Sequence, residues 1–495
     1  MKTPTKIHSN IFVISCCIVY VFMVWFSYTY KMNPYLWFDE AGQFWISKGL
    51  NHDSPLLSPV GGLWDVIVNN RDYNLDPGGF SILLFFWSKL SNHFIWLRTL
   101  PFVLFLLTIM SWIYLVYQWI KNKYISLLLG FVPLLMPILY NEAFELRAYS
   151  MEILGCVVGV IVLDDLQKNL SFKMLFRCSL LLSAFMTARY SFIIVAFAIS
   201  IYVLYLIYES NEIVNNKKIE MVVVYILPLL LTLSAIYYFS LRFQNPQIST
   251  LHYLPYLNND ISILAKNASL LHLSSIIFIG WLYHELKTFQ IVEKYKGVVL
   301  ITLIVNLLFI ILSLFGFHPW GGDCTRCISM ITLVAISYTA IFAEVFKLIN
   351  NYIDIKFIIL FVVCITFLLL YKFEVRNAKN RDNSLTNYQL VDVQGRVYVD
   401  RWESPCMRYQ LEYGQLSDRV DNIDQFTFTS FIPHRLSLVE SNDRITITDF
   451  YRTQPHINEL ESYDVLIIPE LYIYRSDEME SWKSISSKNC VWIRK

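Results

Sequence analysis

Ile11-Phe-Val-Ile-Ser-Cys-Cys-Ile-Val-Tyr-Val-Phe-Met-Val-Trp-Phe-Ser-Tyr-Thr-Tyr30 runs without a single charged residue. At a rise of about 1.5 Å per residue, a helix of that length matches the hydrocarbon thickness of a bilayer. Just beyond it, Tyr35-Leu36-Trp37-Phe38-Asp39-Glu40 sets two adjacent carboxylates at the mouth of this first span. The two acids repel each other, and the nearby wall is hydrocarbon rather than water. Such a pair is either the start of a solvated loop or a working acid.

Composition extends the membrane reading to the whole chain. Its 495 residues are 56% hydrophobic and 16% charged, and the mean hydropathy is +0.46. Soluble domains usually carry about 25% charged residues. The 35 Phe, 32 Tyr and 13 Trp suit helices anchored at membrane interfaces by amphipathic rings. A net charge of +1 provides no global field for nucleic acid, which is excluded as a partner. No glycine-rich phosphate loop of the Walker type is present, which argues against an ATP-driven machine.

Hydropathy predicts membrane helices over 11–30, 95–118, 124–140, 147–164, 173–188, 190–208, 220–241, 268–284, 297–316, 327–346 and 356–372. With the N-terminus and its Lys2 and Lys6 in the cytoplasm, alternation puts Lys121/Lys123, Lys168/Lys173, Lys217/Lys218, Lys287/Lys294/Lys296 and Lys347/Lys356 on the same face. That pattern obeys the positive-inside rule and supports eleven crossings with an outer C-terminus. Ile11 to Tyr30 lacks a small-residue cleavage site and reads as a retained span rather than a signal peptide. Gly79 to Trp87 is apolar but too short to cross, and counting it would invert every later loop. It reads as an amphipathic helix on the outer surface. The first outer loop then covers 31–94, within a membrane domain spanning 1–372.

From Phe373 the chain turns polar. Short β-rich runs occur at Arg396–Asp400, Arg444–Thr448, Asp464–Pro469 and Cys490–Arg494, with helix-compatible stretches between them. The expectation is an outer α/β domain over 373–495, long enough for its own core. Cys16, Cys17, Cys156, Cys178 and Cys364 fall in apolar helices as small fillers, whereas an oxidising outer face permits Cys324–Cys327 and Cys406–Cys490 disulfides.

The outer loops hold the remaining chemistry. One reads Tyr140-Asn-Glu142-Ala-Phe-Glu145-Leu-Arg147-Ala-Tyr149-Ser150; another holds Arg189 and Tyr190; a third reads Phe317-His318-Pro-Trp320-Gly-Gly-Asp323-Cys-Thr-Arg326. Outer arginines run against the positive-inside trend. Alongside acids and aromatics they suit an anionic lipid-linked sugar: Arg forks onto phosphate, rings stack on sugars and carboxylates bond hydroxyls. The alternative is snorkelling helix-end charge.

Asp39-Glu40 after the first span, Asp76-Pro77-Gly78 before an outer helix, and Glu145-Leu-Arg147-Ala-Tyr149-Ser150 together resemble the GT-C superfamily of membrane glycosyltransferases. Size, early outer loop and outer tail look most like the bacterial glucosyltransferases that modify O-antigen in serotype conversion. Many relatives have His-Pro-Pro where this chain has Asp76-Pro77-Gly78. The resemblance covers about residues 10 to 340.

It implies a multi-pass enzyme of the bacterial inner membrane, active on the periplasmic face. The donor would be a sugar on polyprenyl phosphate and the acceptor a glycan such as lipopolysaccharide O-antigen. Asp39 would be the general base, with Glu40 orienting the acceptor or sharing a divalent cation. Arg147, Arg189 and Arg326 would stabilise the leaving phosphate. Glu145, Tyr149, Tyr190, His318 and Asp76 complete the implied substrate-binding set. No cofactor is implied beyond that possible cation. A lipid-linked oligosaccharide flippase would instead need charges in mid-helix and a path to both faces. An O-antigen polymerase or ligase would place its long loop late, between two spans.

Overall fold

Long apolar runs become long helices because a backbone without water must satisfy its own hydrogen bonds. In the computed structural model these are α1 (Lys6–Lys31), α5 (Phe94–Ile120), α9 (Tyr149–Lys168), α10 (Phe172–Met186), α11 (Tyr190–Glu209), α12 (Asn215–Phe239), α13 (Lys296–Leu314) and α14 (Ile328–Ile349). Shorter helices are α2 (Phe38–Ser47), α3 (Leu63–Tyr73), α4 (Gly79–Trp87), α6 (Lys123–Leu129), α7 (Val132–Leu135), α8 (Pro137–Glu142) and α15 (Ser404–Glu412). The structure describes residues 6–31, 36–51, 54, 57–74, 76–210, 213–243, 294–314, 327–349, 359, 362, 395–400, 403–414, 416–417, 426–428, 461–468, 481–484 and 491–494. The stretches 268–284 and 444–448 and nearly all of 356–372 lie outside these.

Among the described residues, four helices are long and apolar enough to cross a membrane: Phe94–Ile120, Tyr190–Glu209, Asn215–Phe243 and Ile328–Lys347. The chain is thus compatible with a helical membrane protein. The stretch 124–140, expected as one span, is divided into α6, α7 and α8. Pro133 and Pro137 stand in the first turns of α7 and α8, where a missing N–H is tolerated. In the middle of one continuous helix each would have removed a hydrogen bond.

The molecule divides into two compact units. The first comprises 1–28, 75–80 and 101–370. Within it α9 is buried on almost all sides, against α10, α11 and α14. The Tyr20 hydroxyl donates to the Leu127 carbonyl, and its ring stacks on Phe131 at 4.2 Å.

The second comprises 29–74, 81–100 and 371–495. It holds a five-stranded sheet of β1 (Val397–Val399), β2 (Phe426–Phe428), β3 (Val465–Ile467), β4 (Trp482–Ser484) and β5 (Val491–Arg494), ordered β2-β1-β3-β5-β4. β1 runs parallel to both neighbours, with Val397 opposite Phe426 and Val465; β5 runs antiparallel to β3 and β4. Parallel strands cannot be joined by a tight turn, so β1 reaches β2 through α15 as a βαβ unit. β1 and β3 are buried throughout, as central strands covered on both faces must be. Tyr398, Leu466, Ile468 and Trp482 form the core of one face, flanked by Tyr463 and Trp492. The described part of the tail thus carries a mixed sheet and one helix.

Cys327 and Cys406 are buried free thiols; Cys324 and Cys490, their expected partners, lie outside the described residues. Burial and the carboxylates of Glu403, Glu40 and Asp39 push the Cys406 thiol well above its usual range, which favours the protonated and unreactive form.

Candidate functional site

Asp39 and Glu40 occupy the first turn of α2, in the second unit. A carboxylate there meets the unsatisfied N–H groups and the positive end of the helix dipole. Glu40 reaches back to accept from the Trp37 backbone N–H at 3.4 Å. The same oxygen, Oε2, accepts from Arg98 Nη2 at 2.5 Å. Both partners are buried, the side chains 3% and 7% exposed. The repulsion expected between Asp39 and Glu40 is therefore offset at Glu40, whose charge is matched by Arg98 from the start of α5. Asp39, one residue earlier, is half-buried.

Behind this turn lies a buried polar chain. Gln43 donates to Ser81 Oγ at 2.6 Å, Ser81 donates to Asn70 at 2.6 Å, and Asn74 donates to both Gln43 and Asn70. With each side chain bonded to another of the set, the network holds α2, α3 and α4 in one arrangement. At the other end of α2, Lys48 is 5% exposed and donates to the Ser88 carbonyl at 3.2 Å. Burial lowers its ammonium to about 8.

The first unit gathers most of the other predicted residues. Asp76 lies in the turn before α4. Gly78 has φ +105°, a conformation natural to glycine. The Gly79 N–H bonds the Thr187 carbonyl at 2.8 Å, and a Cβ on Gly79 would stand 2.0 Å from Thr187 Oγ1. Two glycines thus let the turn dock on the loop leading to Arg189. Arg189 Nε donates to Asp76 Oδ1 at 3.3 Å, and Arg147 Nη2 lies 3.8 Å from Asp76 Oδ2. Tyr149 joins them through its ring face, 4.6 Å from the Arg189 guanidinium and 5.9 Å from that of Arg147.

Glu145 is half-buried in the turn before α9, where the Arg147 N–H bonds the Glu145 carbonyl at 2.7 Å. Tyr190 bonds Ser240 Oγ at 2.7 Å. His318 and Arg326 lie outside the described residues.

Sequence reasoning missed Glu152, Ser191, Ser329 and Arg98. Glu152 is fully buried one turn into α9. Ser191 of α11 and Ser329 of α14 donate to its Oε1, and Arg189 Nη1 donates to its Oε2 at 3.1 Å. A buried carboxylate is costly unless it is paired and hydrogen-bonded, and these donors answer both needs. The available signal was an ionisable residue inside an apolar helix, which marks both Glu152 and Arg98. Arg189 therefore commits one edge to Asp76 and another to Glu152. Arg147 makes the looser contact and is 15% exposed.

Among the described residues, no group of three or more His, Cys, Asp and Glu side chains is arranged to hold a metal ion.

No protein-family model matches the chain, and no curated protein sequence matches it.

Proposed function

We propose that this chain is a glycosyltransferase of the GT-C type. It moves a sugar, a glucosyl group in our reading, from polyprenyl phosphate to a cell-envelope glycan such as O-antigen. The proposed setting is the periplasmic face of a bacterial inner membrane. Eleven crossings would leave the N-terminus in the cytoplasm and the tail outside. The observation that carries this reading is the division of labour at the start of α2. Glu40 is tied to Arg98 and the helix backbone, while Asp39 beside it remains half-buried. One carboxylate thus anchors the turn, and we assign the proton transfer to the less buried neighbour.

In the proposed reaction Asp39 takes the proton of the acceptor hydroxyl. The acceptor oxygen bonds the anomeric carbon as that carbon's bond to the phosphate oxygen breaks. The electron pair leaves with polyprenyl phosphate, and inversion follows from a single displacement. We assign the growing phosphate charge to Arg147, whose planar fork suits it and whose contact with Asp76 is the looser one. Arg189 becomes the residue that sets Asp76 and Glu152.

The test is transfer of labelled sugar from polyprenyl phosphate in membranes carrying the wild-type chain or Asp39→Asn. The amide keeps the size but cannot accept the proton. Loss of a general base costs about 10²–10⁴-fold. Near-normal transfer by Asp39→Asn at equal membrane level defeats the base assignment. Mass spectrometry of surface polysaccharide and lipid A, with and without the gene, identifies the sugar and its acceptor.

A further inference from the structure

We infer that the C-terminal helix α15 is a brace for the acid-bearing helix α2, with Tyr409 and Arg408 as positioning residues for Asp39. The positioning role rests on the transferase reading; the brace itself does not.

The contacts lie within the second unit and join segments far apart in sequence. The Trp45 indole N–H donates to the Pro405 carbonyl at 3.0 Å. Arg408 lies over the Trp45 ring, its guanidinium carbon 3.9 Å from the centroid. Phe44 meets Tyr409 and Tyr413 edge to face at 5.0 and 5.6 Å. Phe44 and Trp45 are themselves wholly buried, so this face of α2 depends on the tail for its cover. The Tyr409 hydroxyl donates to the Asn92 carbonyl at 2.8 Å, close in sequence to Arg98.

Arg408 is a junction. It pairs with Glu412 at 2.8 Å and donates from Nη1 to the Ser54 carbonyl at 2.7 Å. Glu412 also accepts from the Leu57 N–H at 3.0 Å. Both side chains of the Arg408–Glu412 pair are 4% exposed. Electrostatics point the same way. Tyr409 feels the charges of Arg98 and Glu40, and Cys406 those of Glu40 and Asp39. The crossover helix of the sheet thus lies against the Phe44–Trp45 face of the helix that carries the acids. Its sequence explains the fit: Pro405, Cys406, Tyr409 and Tyr413 present an apolar and aromatic side, and Arg408 adds the planar fork and flat face that an indole can stack upon.

The experiment uses the full-length purified chain in lipid nanodiscs. Trp45→Phe and Tyr409→Phe each remove one donor and keep a ring, so folding is preserved. Arg408→Lys keeps the charge but loses the fork. Two measurements are made on each. The first is hydrogen exchange of the 38–47 amides. A buried acceptor left unsatisfied should raise local opening roughly tenfold. The second is transfer from polyprenyl-phosphate sugar. A displaced Asp39 should lower kcat roughly tenfold with KM for the donor unchanged, since a positioning defect acts on the chemical step. Unchanged exchange over 38–47 in all three variants overturns the brace. Faster exchange with wild-type kcat overturns the positioning role. Faster exchange in variants of a chain whose wild type shows no transfer refutes the transferase reading and supports the brace.

Discussion

Replacing Arg98 with Met is the sharpest test of how the first turn of α2 is held. At the observed 2.5 Å, and with an effective dielectric constant of about 20, the attraction between Arg98 and Glu40 is about 7 kcal/mol. Removing two ions from water costs several kcal/mol each, so the pair contributes little net stability. Removing one partner is another matter, because it leaves Glu40 charged and buried. Arg98→Met should therefore cost about 3–5 kcal/mol. At about 2–4 °C per kcal/mol for a domain of 150–250 residues, unfolding should move down by about 6–20 °C. Glu40→Leu combined with Arg98→Met should recover most of that loss, since an apolar pair of similar volume carries no desolvation penalty. The assay is thermal unfolding of the full-length chain in detergent at one scan rate, for both single variants and the double. Strict additivity refutes the reasoning, because it means the two charges do not depend on each other. A loss below about 1 kcal/mol in Arg98→Met also refutes it, because the site would then be wet enough to solvate Glu40.

Three further outcomes are expected. Gly79→Ala brings a methyl into Thr187 and should cost about 1–3 kcal/mol, and Thr187→Gly added to it recovers only the side-chain part, since the residue-187 carbonyl oxygen still stands 2.8 Å from the new Cβ; equal unfolding temperatures for wild type and Gly79→Ala exclude the close approach. Lys48 is lowered from 10.5 to about 8, so the unfolded chain binds more protons than the folded chain between those pH values, and this residue makes stability rise with pH through that window. Lys48→Met should stabilise by about 1–3 kcal/mol near pH 7, with the gain fading towards pH 10.5; denaturation across that range checks it, and a pH-independent difference contradicts the burial argument. Arg147→Lys should raise the KM for polyprenyl-phosphate sugar more than that for the acceptor, with Arg147→Ala worse; initial rates decide it, and a change confined to the acceptor moves Arg147 off the phosphate.

What could be read from the chain divides by the range of the interaction behind it. The apolar helices and the strands at Val397, Val465 and Val491 follow from local patterns of hydrophobicity and β-branching. The nine-residue helix from Gly79 to Trp87 has the bounds its composition predicts. Arg147 and Arg189 stand out as outer arginines and Asp76 through the motif it shares with the resemblance, and the three do meet. Their anchor, Glu152, was hidden because an acid inside an apolar run looks like part of the span until its partners are known. Those partners lie 37 and 177 residues away at Arg189 and Ser329. Arg98 escaped for the same reason, 58 residues from Glu40. The division of 124–140 was legible in Pro133 and Pro137, but mean hydropathy over a window does not register a missing N–H. The free Cys406 marks another limit: composition reports which face permits oxidation, whereas its packing beside Glu40 depends on the crossover helix.

The distance along the chain between Trp45 and Pro405 sets a timetable. These bonded residues are 360 positions apart. At the usual about 5–20 residues per second of synthesis, Pro405 leaves the ribosome about 20–70 s after Trp45. Throughout that interval the aromatic side of α2 exists without the partner that covers it. The second unit therefore cannot mature as a nascent N-terminal module. Its completion is held until nearly the whole polypeptide has been made.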